Sequence, residues 1–470
     1  MPRLEERDYT YFTIVRGMCR RCRAIVPARV SFRGREVWQQ SLCPACDNAP
    51  ALIAGDKDWY LASTLRAFPD HAPLKGARPQ RRGCPHDCGP CAWHASPCQL
   101  PVVSITNACN LRCPICFTYN RPDRVYHMPV EEFRRTVDFI IASSGPVDLI
   151  NVTGGEPTLH PRIIELLECC RRPEIGRVTL NSNGLRLAED PALCARLAEL
   201  GVYVILSFHT LDPAASVRMH GRDLVATKLR ALENLTRAGA RVTLLNVMLR
   251  GVNEDAAGKL LDLMRRNEAI LSLTIQTMTY TGQGGGGFPR QKHIPVDEAA
   301  RLVCAQSNGE LEFADFLPRP AAHPLCYLTC FMLQTGGRFL PLARLAPREE
   351  ITARMRDSYL LRLEPDGRFF REMINGLYAR GADAQLQDMR RIVETLYPAG
   401  RDVSTFERQR LAEAAVRTIY VHAHMDEDNF DAARAMLCPD LVPAEPGRLI
   451  PACTYNLFYR REDERFYVKA

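Results

Sequence analysis

The sequence predicts an α/β protein whose core is a partial (β/α)6 barrel of the TIM type, with a cysteine-rich module before it and a mainly helical region after it. Residues 100–288 alternate six strand-like segments with helix-like segments, a pattern typical of parallel strands with helices outside. Cysteines crowd before this region, and the alternation is lost beyond it. We therefore divide the chain into a rubredoxin-like or zinc-ribbon module (1–75), an iron–sulfur loop (76–99), the barrel (100–288) and a C-terminal region that holds an auxiliary cluster and covers the substrate (289–470).

The composition favours a globular protein that binds metal. The chain has 470 residues, of which 46% are hydrophobic and 24% charged, and its net charge is +7. Because the basic residues are dispersed among acids, we expect no nucleic-acid binding, whereas docking of an acidic electron carrier is compatible with this charge. No apolar run reaches about eighteen residues, so no transmembrane segment is expected, and the charged N-terminus is unlike an export signal. In a protein thus expected in the cytoplasm, nineteen cysteines indicate metal ligands rather than disulfides.

The N-terminal module contains two CxxC pairs, with a strand-like segment, VSFRGREVWQQ, between them. Its four cysteines predict one tetrahedral metal site, and the segment is so short that the metal must supply much of the folding energy. Four sulfurs alone do not choose between zinc and a single iron. The predicted ligands are Cys19, Cys22, Cys43 and Cys46.

A second group of cysteines follows in the loop GCPHDCGPCAWHASPC, directly before the first barrel strand. Four cysteines on a loop rich in glycine and proline can surround a complete iron–sulfur cluster, and a second zinc knot is the alternative. The predicted ligands are Cys84, Cys88, Cys91 and Cys98.

Strands and helices of the barrel follow from period and composition. VEEFRRTVDFIIA has apolar residues at helical spacing and a proline suited to its first turn. In such barrels the chemistry lies at the C-terminal ends of the strands. The predicted strands are Pro101–Thr106, Val147–Thr153, Val178–Leu180, Tyr203–Ser207, Arg241–Met248 and Leu271–Thr277.

The loop after the first strand, NACNLRCPICFTYN, has the spacing CxxxCxxC at Cys109, Cys113 and Cys116. Three thiolates on one short loop can hold three irons of a [4Fe-4S] cluster, since soft sulfur ligands select such clusters. The fourth iron is left open for a substrate or cofactor. Three incidental cysteines are the alternative.

The next strand ends carry polar residues in order along the chain. Gly154, Gly155 and Glu156 end the second strand; the glycines would let a ligand approach the backbone, and the carboxylate can accept hydrogen bonds from a protonated amine. Amide and hydroxyl groups on the third and fourth strand ends suit ribose hydroxyls. Each signal alone is weak, because such residues also mark ordinary turns.

Beyond the barrel, TGQGGGGFP predicts a plain linker or a hinge. Four later cysteines fall in two pairs more than a hundred residues apart, and their spacing alone fits a further cluster as well as it fits free buried thiols. They are Cys326, Cys330, Cys438 and Cys453. We expect Tyr280, His209, Asp426 and Tyr455 to be structural rather than catalytic.

The CxxxCxxC loop, with Ile115 and Phe117 around its last cysteine and GGE on the next strand, resembles the radical S-adenosylmethionine (SAM) superfamily over about residues 100–280. The resemblance implies that the open iron chelates the methionine amino and carboxylate groups of SAM. It also implies a cofactor-binding set formed by Gly154, Gly155, Glu156, Asn181, Asn183, Ser207, Phe117 and Gln276.

Nearly the whole chain resembles the class D methyltransferases of this superfamily, which methylate pterins in archaea, and the tetraether lipid synthases. The similarity lies in the N-terminal CxxC pairs, CPHDCGPCAWH, QTMTYTG, MDEDNFDAARAMLCPD and PACTYNLFYR. It implies two auxiliary [4Fe-4S] clusters, one on the second cysteine loop and one on the C-terminal cysteines.

The resulting functional hypothesis is an enzyme that cleaves SAM to a 5'-deoxyadenosyl radical and forms a carbon–carbon bond at an unactivated carbon. Ferredoxin or flavodoxin is the expected reductant, and C-methylation of a pterin-type molecule is the best-supported reaction. Radical coupling of lipid chains is the second hypothesis. The shape of the cavity would distinguish the two, because a lipid needs a long apolar tunnel and a pterin needs a compact pocket with paired donors and acceptors. A non-catalytic electron-relay protein is the alternative of another class.

Overall fold

The computed structural model describes residues 7–64, 79, 81–89, 91–118, 124–284, 286–335, 337–361, 368–396, 400, 404, 411, 415–444 and 447–466. Most of the linker predicted around residues 72–83, and Tyr119 and Asn120 of the three-cysteine loop, lie outside these residues. No helix in the described ranges combines the length and the hydrophobicity needed to cross a membrane.

An antiparallel sheet forms the N-terminal module. Its four strands lie in chain order, and burial alternates along β3, where Val37, Gln39 and Ser41 point to the buried face. The strands are β1 (Thr10–Met18), β2 (Ile25–Arg33), β3 (Glu36–Ser41) and β4 (Ala51–Ala54), followed by helix α1 (Lys57–Thr64).

The barrel contains all six predicted strands, with bounds that differ by a few residues. They are β5 (Leu100–Ser104), β6 (Ile150–Thr153), β7 (Val178–Ser182), β8 (Tyr203–Ser207), β9 (Arg241–Met248) and β10 (Ile270–Thr277). Each pairs with its chain neighbour in parallel. The helices between them are α2 (Val130–Ser144), α3 (Ile163–Glu168), α4 (Leu185–Glu189), α5 (Pro191–Glu199), α6 (Pro213–His220), α7 (Val225–Arg237) and α8 (Ala257–Arg266).

Helix α2 shows why these segments form helices against the sheet. Its apolar residues Val130, Phe133, Val137 and Ile140 are all buried, as their spacing predicts. Gly145 ends the helix at φ 77°, a conformation that a side chain would disfavour. The apolar faces of the helices and sheet form one continuous core.

The C-terminal region adds strands to the barrel sheet as well as helices, which the expectation of a mainly helical region did not include. Its helices are α9 (Val296–Ala305), α10 (Arg348–Arg354), α11 (Arg368–Ala379), α12 (Asp383–Leu396) and α13 (Ala432–Met436). Its strands are β11 (Leu317–Pro318), β12 (Tyr327–Thr335), β13 (Arg338–Pro341), β14 (Val416–His422), β15 (Asp440–Ala444) and β16 (Arg448–Pro451). A helical turn, Ala452–Thr454, then leads into a π-helical turn, Tyr455–Tyr459.

Two of these strands extend the row of parallel barrel strands, one at each end of the row. Strand β14 pairs in parallel with β10, and β15 pairs in parallel with β5. The sheet therefore contains eight consecutive parallel strands, β15-β5-β6-β7-β8-β9-β10-β14, rather than six. Strand β12 pairs antiparallel with β14, and β16 pairs antiparallel with β15.

The N-terminal module packs against these later segments. Gln39 donates a hydrogen bond to the carbonyl of Phe430 over 2.8 Å, and the amide of Gly55 donates to both carboxylate oxygens of Asp297 on α9 over 2.9 and 3.1 Å. Both links join residues that are hundreds of positions apart, so the module is fixed to the barrel region.

Candidate active site

A cavity of about 570 Å³ lies within the barrel. Strand residues line its walls, and the three-cysteine loop lies at the end where β5 leaves the sheet. Later segments of the chain contribute the remaining wall. The lining includes Cys109, Cys113, Cys116, Phe117, Gly154, Gly155, Glu156, Asn181, Asn183, Ser207, Gln276, Tyr327, His422, His424, Asp440, Tyr455 and Arg460.

The three-cysteine loop holds its thiols close enough to influence one another. Burial, together with its neighbours Glu156 and Cys116, raises the pKa of Cys109 to about 11, and burial with the other two thiols raises the pKa of Cys113 to about 12. Thiols whose pKa is raised by burial and by neighbouring thiols favour a bound cationic centre, because a cation would stabilise their thiolates. The loop base is fixed by Asn107, which accepts a hydrogen bond from the amide of Tyr126 over 2.8 Å.

The glycine-rich segment after β10 packs against this loop and is more than a linker. A Cβ atom on Gly284 would lie 2.7 Å from the carbonyl oxygens of both Ile115 and Cys116. A Cβ atom on Gly282 would lie 2.4 Å from the carbonyl of Phe117. These glycines allow two backbones to touch, so the segment supports the loop from behind.

Gly154 and Gly155 serve a similar close approach between backbones. A Cβ on Gly155 would lie 2.2 Å from the carbonyl oxygen of Ala108, and one on Gly154 would lie 2.3 Å from that of Thr106. The amide of Gly155 donates to Thr106 over 2.8 Å. The glycines therefore bind the end of β6 to the start of the cysteine loop, a requirement that the sequence interpretation had attributed to a ligand.

Glu156 links two strand ends. Its carboxylate accepts hydrogen bonds from the amide and hydroxyl of Thr158 (3.2 and 2.7 Å), the hydroxyl of Ser182 (2.9 Å) and the amide of Asn183 (2.6 Å). Burial raises its pKa, and these donors oppose that effect. The side chain is 1% exposed, although it borders the cavity. Its contact with a methionine amine stays a prediction.

The other predicted cofactor residues also line the cavity. Asn183 donates to the side chain of Asn110 over 2.7 Å, which joins the end of β7 to the cysteine loop. Asn181 donates to Thr153 over 3.3 Å and has a buried Oδ1 with no partner. Phe117 stacks on His424, with ring centroids 5.0 Å apart. The remaining two, Ser207 and Gln276, lie on β8 and β10.

Lys228 is a site residue that the sequence interpretation missed. Its ammonium group is buried and donates to the carbonyls of Asn183 (3.0 Å) and Ser207 (2.5 Å), so it joins the ends of β7 and β8. Burial lowers its pKa to about 8, while Cys113 and Glu156 act in the opposite direction. A signal was present: Lys228 lies on the apolar stripe of α7, three residues after Val225.

The four N-terminal cysteines form a compact site. Their sulfur atoms all lie within 4.8 Å of one another, and those of Cys22 and Cys43 are 3.7 Å apart. Tetrahedral ligands about 2.3 Å from a metal are separated by about 3.8 Å, so this spacing fits one mononuclear ion. Burial and the other three thiols raise the pKa of Cys46 to about 12. A bound cation would lower this pKa, because it stabilises the thiolate. The predicted four-cysteine metal site is confirmed in its residues and geometry.

The second cysteine loop lies beside Cys438 of the C-terminal region. The neighbouring Cys84, burial, and the thiols of Cys91 and Cys438 raise the pKa of Cys88, so each of these three sulfurs lies within electrostatic range of Cys88. The amide of Gln99 donates to the carbonyl of Pro439 over 3.0 Å, which holds the loop beside the chain around Cys438. By contrast, Cys98 is part of the barrel core.

The C-terminal cysteines do not meet as one set of four. Burial and the thiol of Cys326 raise the pKa of Cys453 to about 12, and both thiols also raise that of Cys438. Cys330 lies on β12 in the barrel core, where Asp315 and Cys304 are its charged neighbours. A strand advances about 3.3 Å per residue, so four positions separate Cys330 from Cys326 by about 13 Å. The CxxxC spacing brings thiols together on a loop but not along a strand.

Four residues expected to be structural have internal partners. The carboxylate of Asp426 accepts from the amide of Tyr280 (3.3 Å), and the hydroxyl of Tyr455 donates to Asp463 (2.7 Å). His209 is buried, and its Nδ1 lies 3.1 Å from the amide of Val247. These contacts position the segments around the cavity.

Part of the cavity wall is built by residues that sequence reasoning did not select. Tyr327 on β12 donates a short hydrogen bond to Asp440 on β15, and its ring stacks on His422 of β14, with centroids 4.1 Å apart and an interplanar angle of 8°. The hydrogen bond from Tyr327 to Asp440 therefore joins β12 to β15, two strands that the C-terminal region adds to the sheet.

The Radical SAM superfamily profile matches residues 103–264. The 7,8-dihydro-6-hydroxymethylpterin dimethyltransferase of Methanocaldococcus jannaschii is 25% identical over 96% of this chain and 95% of its own length. The GTP 3',8-cyclase of Chlorobaculum tepidum is 35% identical over 37% of this chain and 52% of its own length, so that alignment spans about half of the cyclase. The structure of Streptococcus suis SuiB bound to its precursor peptide covers 44% of this chain and 45% of its own, at 20% identity and a TM-score of 0.37.

The matched segment begins on β5 and ends on α8. It includes the three cysteines at the cavity, the two glycines that contact the backbone before them, and the carboxylate that joins the next two strand ends. Residues 103–264 therefore form a radical SAM domain, and the chain is a radical SAM enzyme.

Proposed function

We propose that this enzyme forms a carbon–carbon bond on a pterin-type small molecule, as a C-methyltransferase. The observation that carries the proposal is the similarity to a pterin dimethyltransferase over 96% of this chain and 95% of that relative. That similarity includes the regions outside the barrel, whereas the alignment with the cyclase covers only 37% of this chain. Regions outside the barrel supply one wall of the cavity, so full-length similarity bears on the substrate.

The residues present fit the [4Fe-4S] cluster and SAM that the superfamily implies. Three thiols face the cavity from one loop, and among the described residues they do not form a compact mononuclear group such as that of the N-terminal module. When bound, the cluster and SAM supply a 5'-deoxyadenosyl radical that abstracts hydrogen from an unactivated carbon. We assign Cys109, Cys113 and Cys116 to hold the cluster.

The chain's own residues position this site. Glu156 and Lys228 connect three successive strand ends, so the polar groups there stay at fixed separations. The unpartnered oxygen of Asn181 offers a hydrogen-bond acceptor at the same end.

The cavity has the size of a small-molecule site, and polar side chains project into a mainly apolar wall. Its volume of about 570 Å³ is within the range of about 300–1,000 Å³ that small-molecule sites occupy. Inward-facing polar side chains come from several strands, among them Asn151, Thr274, Gln276 and Asp440. These side chains can make hydrogen bonds to a pterin, whereas lipid chains have no groups to pair with them.

Two auxiliary clusters belong to the same proposal. The grouping of Cys84, Cys91 and Cys438 around Cys88 supports one, and the effect of the Cys326 thiol on the pKa of Cys453 supports a site for the other. We propose ferredoxin or flavodoxin as the reductant and the cytoplasm as the location, where such reductants are available.

The test is anaerobic reconstitution, iron counting, and incubation with SAM, a reductant and 7,8-dihydro-6-hydroxymethylpterin, followed by mass detection. We expect 5'-deoxyadenosine together with a pterin whose mass has increased by one or two methyl groups. About twelve irons, or thirteen with iron in the N-terminal site, would match three clusters. Absence of 5'-deoxyadenosine from the reduced, cluster-loaded protein would contradict radical chemistry and favour an electron-relay role. Formation of 5'-deoxyadenosine with unchanged pterin would contradict the substrate.

A further inference from the structure

Asp440 has a buried carboxylate oxygen that the protein does not satisfy. The residue is 3% exposed and borders the cavity. Its Oδ2 accepts the hydrogen bond from the hydroxyl of Tyr327, whereas its Oδ1 has no hydrogen-bond partner. An unpaired buried carboxylate oxygen is costly, so a protein retains one where a ligand supplies the missing donors.

The cationic and aromatic groups nearest to Asp440 do not supply those donors. Arg319 donates its Nη2 to the carbonyl of Ser358 and the side chain of Gln99, each over 3.0 Å. The Nε2 of His422 lies 3.7 Å from Oδ2, beyond hydrogen-bond distance, because its ring is stacked on Tyr327. None of these groups therefore donates a hydrogen bond to Oδ1.

The surroundings of Asp440 suit a flat heterocycle. The stacked rings of Tyr327 and His422 and the ring of Tyr359 all border the cavity. Aromatic walls favour a planar ring system, and a carboxylate favours two adjacent N–H donors on its edge. A 2-amino-4-oxopyrimidine ring presents such a pair in its ring N3–H and its exocyclic amino group.

We propose that Asp440 binds the aminopyrimidinone edge of the substrate and accepts hydrogen bonds from ring N3–H and the 2-amino group. This inference rests on the proposed function and deepens it by naming the residue that recognises the pterin. Asp440 pairs in register with Leu100 at the start of β5, whereas the cysteine loop follows the end of that strand. Four residues of strand span about 13 Å, so this orientation leaves the pyrazine half of the pterin on the side of the cysteine loop.

The test measures binding of two ligands that differ only at the proposed contact. 6-Hydroxymethylpterin carries the 2-amino group, and 6-hydroxymethyllumazine carries an oxygen in its place. Each is titrated by fluorescence into cluster-loaded protein with SAM but no reductant, so that binding is separated from turnover. We expect the wild-type protein to bind the pterin about tenfold to a hundredfold more tightly, because the lumazine loses a charge-assisted hydrogen bond and places an acceptor against the carboxylate.

Asp440→Asn should weaken pterin binding by a similar factor and remove the preference over lumazine. The matched control is Asp315→Asn, because Asp315 is also a buried aspartate but pairs with Arg344 and does not line the cavity. The control should keep the wild-type preference. Iron content and thermal midpoint establish that each variant is folded. If Asp440→Asn does not fold, the wild-type protein is titrated instead with the dimethylamino analogue, in which the 2-amino group of 6-hydroxymethylpterin carries two methyl groups and no hydrogen. Weaker binding of this analogue than of the pterin is then the expected result.

The outcomes separate this inference from the proposed function. Equal wild-type affinity for pterin, lumazine and the dimethylamino analogue would overturn the role of Asp440 and leave a pterin substrate possible. The same holds if folded Asp440→Asn keeps the full preference for pterin. If the wild-type protein forms 5'-deoxyadenosine but binds none of these ligands, both the pterin substrate and the inference are overturned.

Discussion

Replacing Gly284 with alanine tests whether the glycine-rich segment supports the cysteine loop. The new Cβ atom would lie 2.7 Å from two carbonyl oxygens of the loop, whereas ordinary contact begins at 3.4 Å. The two backbones must therefore separate by about 0.7 Å. Gly286 lies two positions further along the same run, and a Cβ there meets no atom within 4 Å. Gly286→Ala is thus a matched control for any general effect of losing a glycine.

The displacement is large on the scale that an active site tolerates. Overpacking of this kind costs about 1–3 kcal/mol, and functional groups must be held to within about 0.5 Å. A misplacement near 1 Å can lower a rate about a hundredfold, so we expect Gly284→Ala to form 5'-deoxyadenosine about tenfold to a hundredfold more slowly. The loss of iron on gel filtration should also be faster than in the wild-type protein.

The assay compares the wild-type protein and both variants after identical anaerobic reconstitution. Iron per chain, the visible absorbance of the clusters and the initial rate of SAM cleavage are measured together. Wild-type rates in Gly284→Ala would refute the supporting role. Equal losses in Gly284→Ala and Gly286→Ala would also refute it, because the segment would then act only through its flexibility.

Three further perturbations test other parts of the structure. Lys228→Met removes two charge-assisted hydrogen bonds between strand ends, so SAM affinity measured by equilibrium dialysis should fall at least about tenfold; unchanged affinity would contradict the positioning role. Cys43→Ser should lower the metal content by one ion per chain and expose the N-terminal sheet to protease, whereas Cys169→Ser should do neither. Burial raises the pKa of Asp297 to about 6, so the folded state retains its proton better than the unfolded state, and stability should fall as pH rises from about 4 to 6. The difference from the ordinary value of 3.8 corresponds to at most about 3 kcal/mol, which Asp297→Asn should remove from the urea-unfolding profile and Asp58→Asn should not.

The six central strands could be predicted because each signal is local. Short runs rich in valine, isoleucine and leucine alternate with segments of helical period such as α2, and burial of one helix face then follows directly. The four-cysteine module was predictable for the same reason, since two CxxC pairs and one intervening strand pair fix the geometry. The sheet edges were not predictable, because β14 pairs with β10 from more than a hundred residues away.

The residues of the candidate site were also predictable where their sequence signal is local, and were missed or misassigned elsewhere. The cysteine loop and Glu156 follow successive strands, so their order in the chain indicates that they meet. The CxxxC at Cys326 and Cys330 misled the interpretation, because cysteine spacing predicts proximity only when the local conformation is known, and Cys330 lies on a strand. Lys228 was within reach of sequence reasoning, since a lysine on an apolar helix stripe requires a buried partner.

Two groups of residues in the cavity wall therefore determine different properties, the chemistry and the choice of substrate. Residues that follow β5, β6 and β7 build the end that implies SAM chemistry, and they can hold that chemistry whatever the substrate. Tyr327, His422 and Asp440 contribute to the cavity wall from three strands that the C-terminal region adds to the sheet. Changes in those strands can alter which molecule is bound without displacing the cysteine loop. It follows that the barrel motifs cannot decide between a pterin and a lipid, and that the decision rests on whether the carboxylate of Asp440 faces a pair of N–H donors.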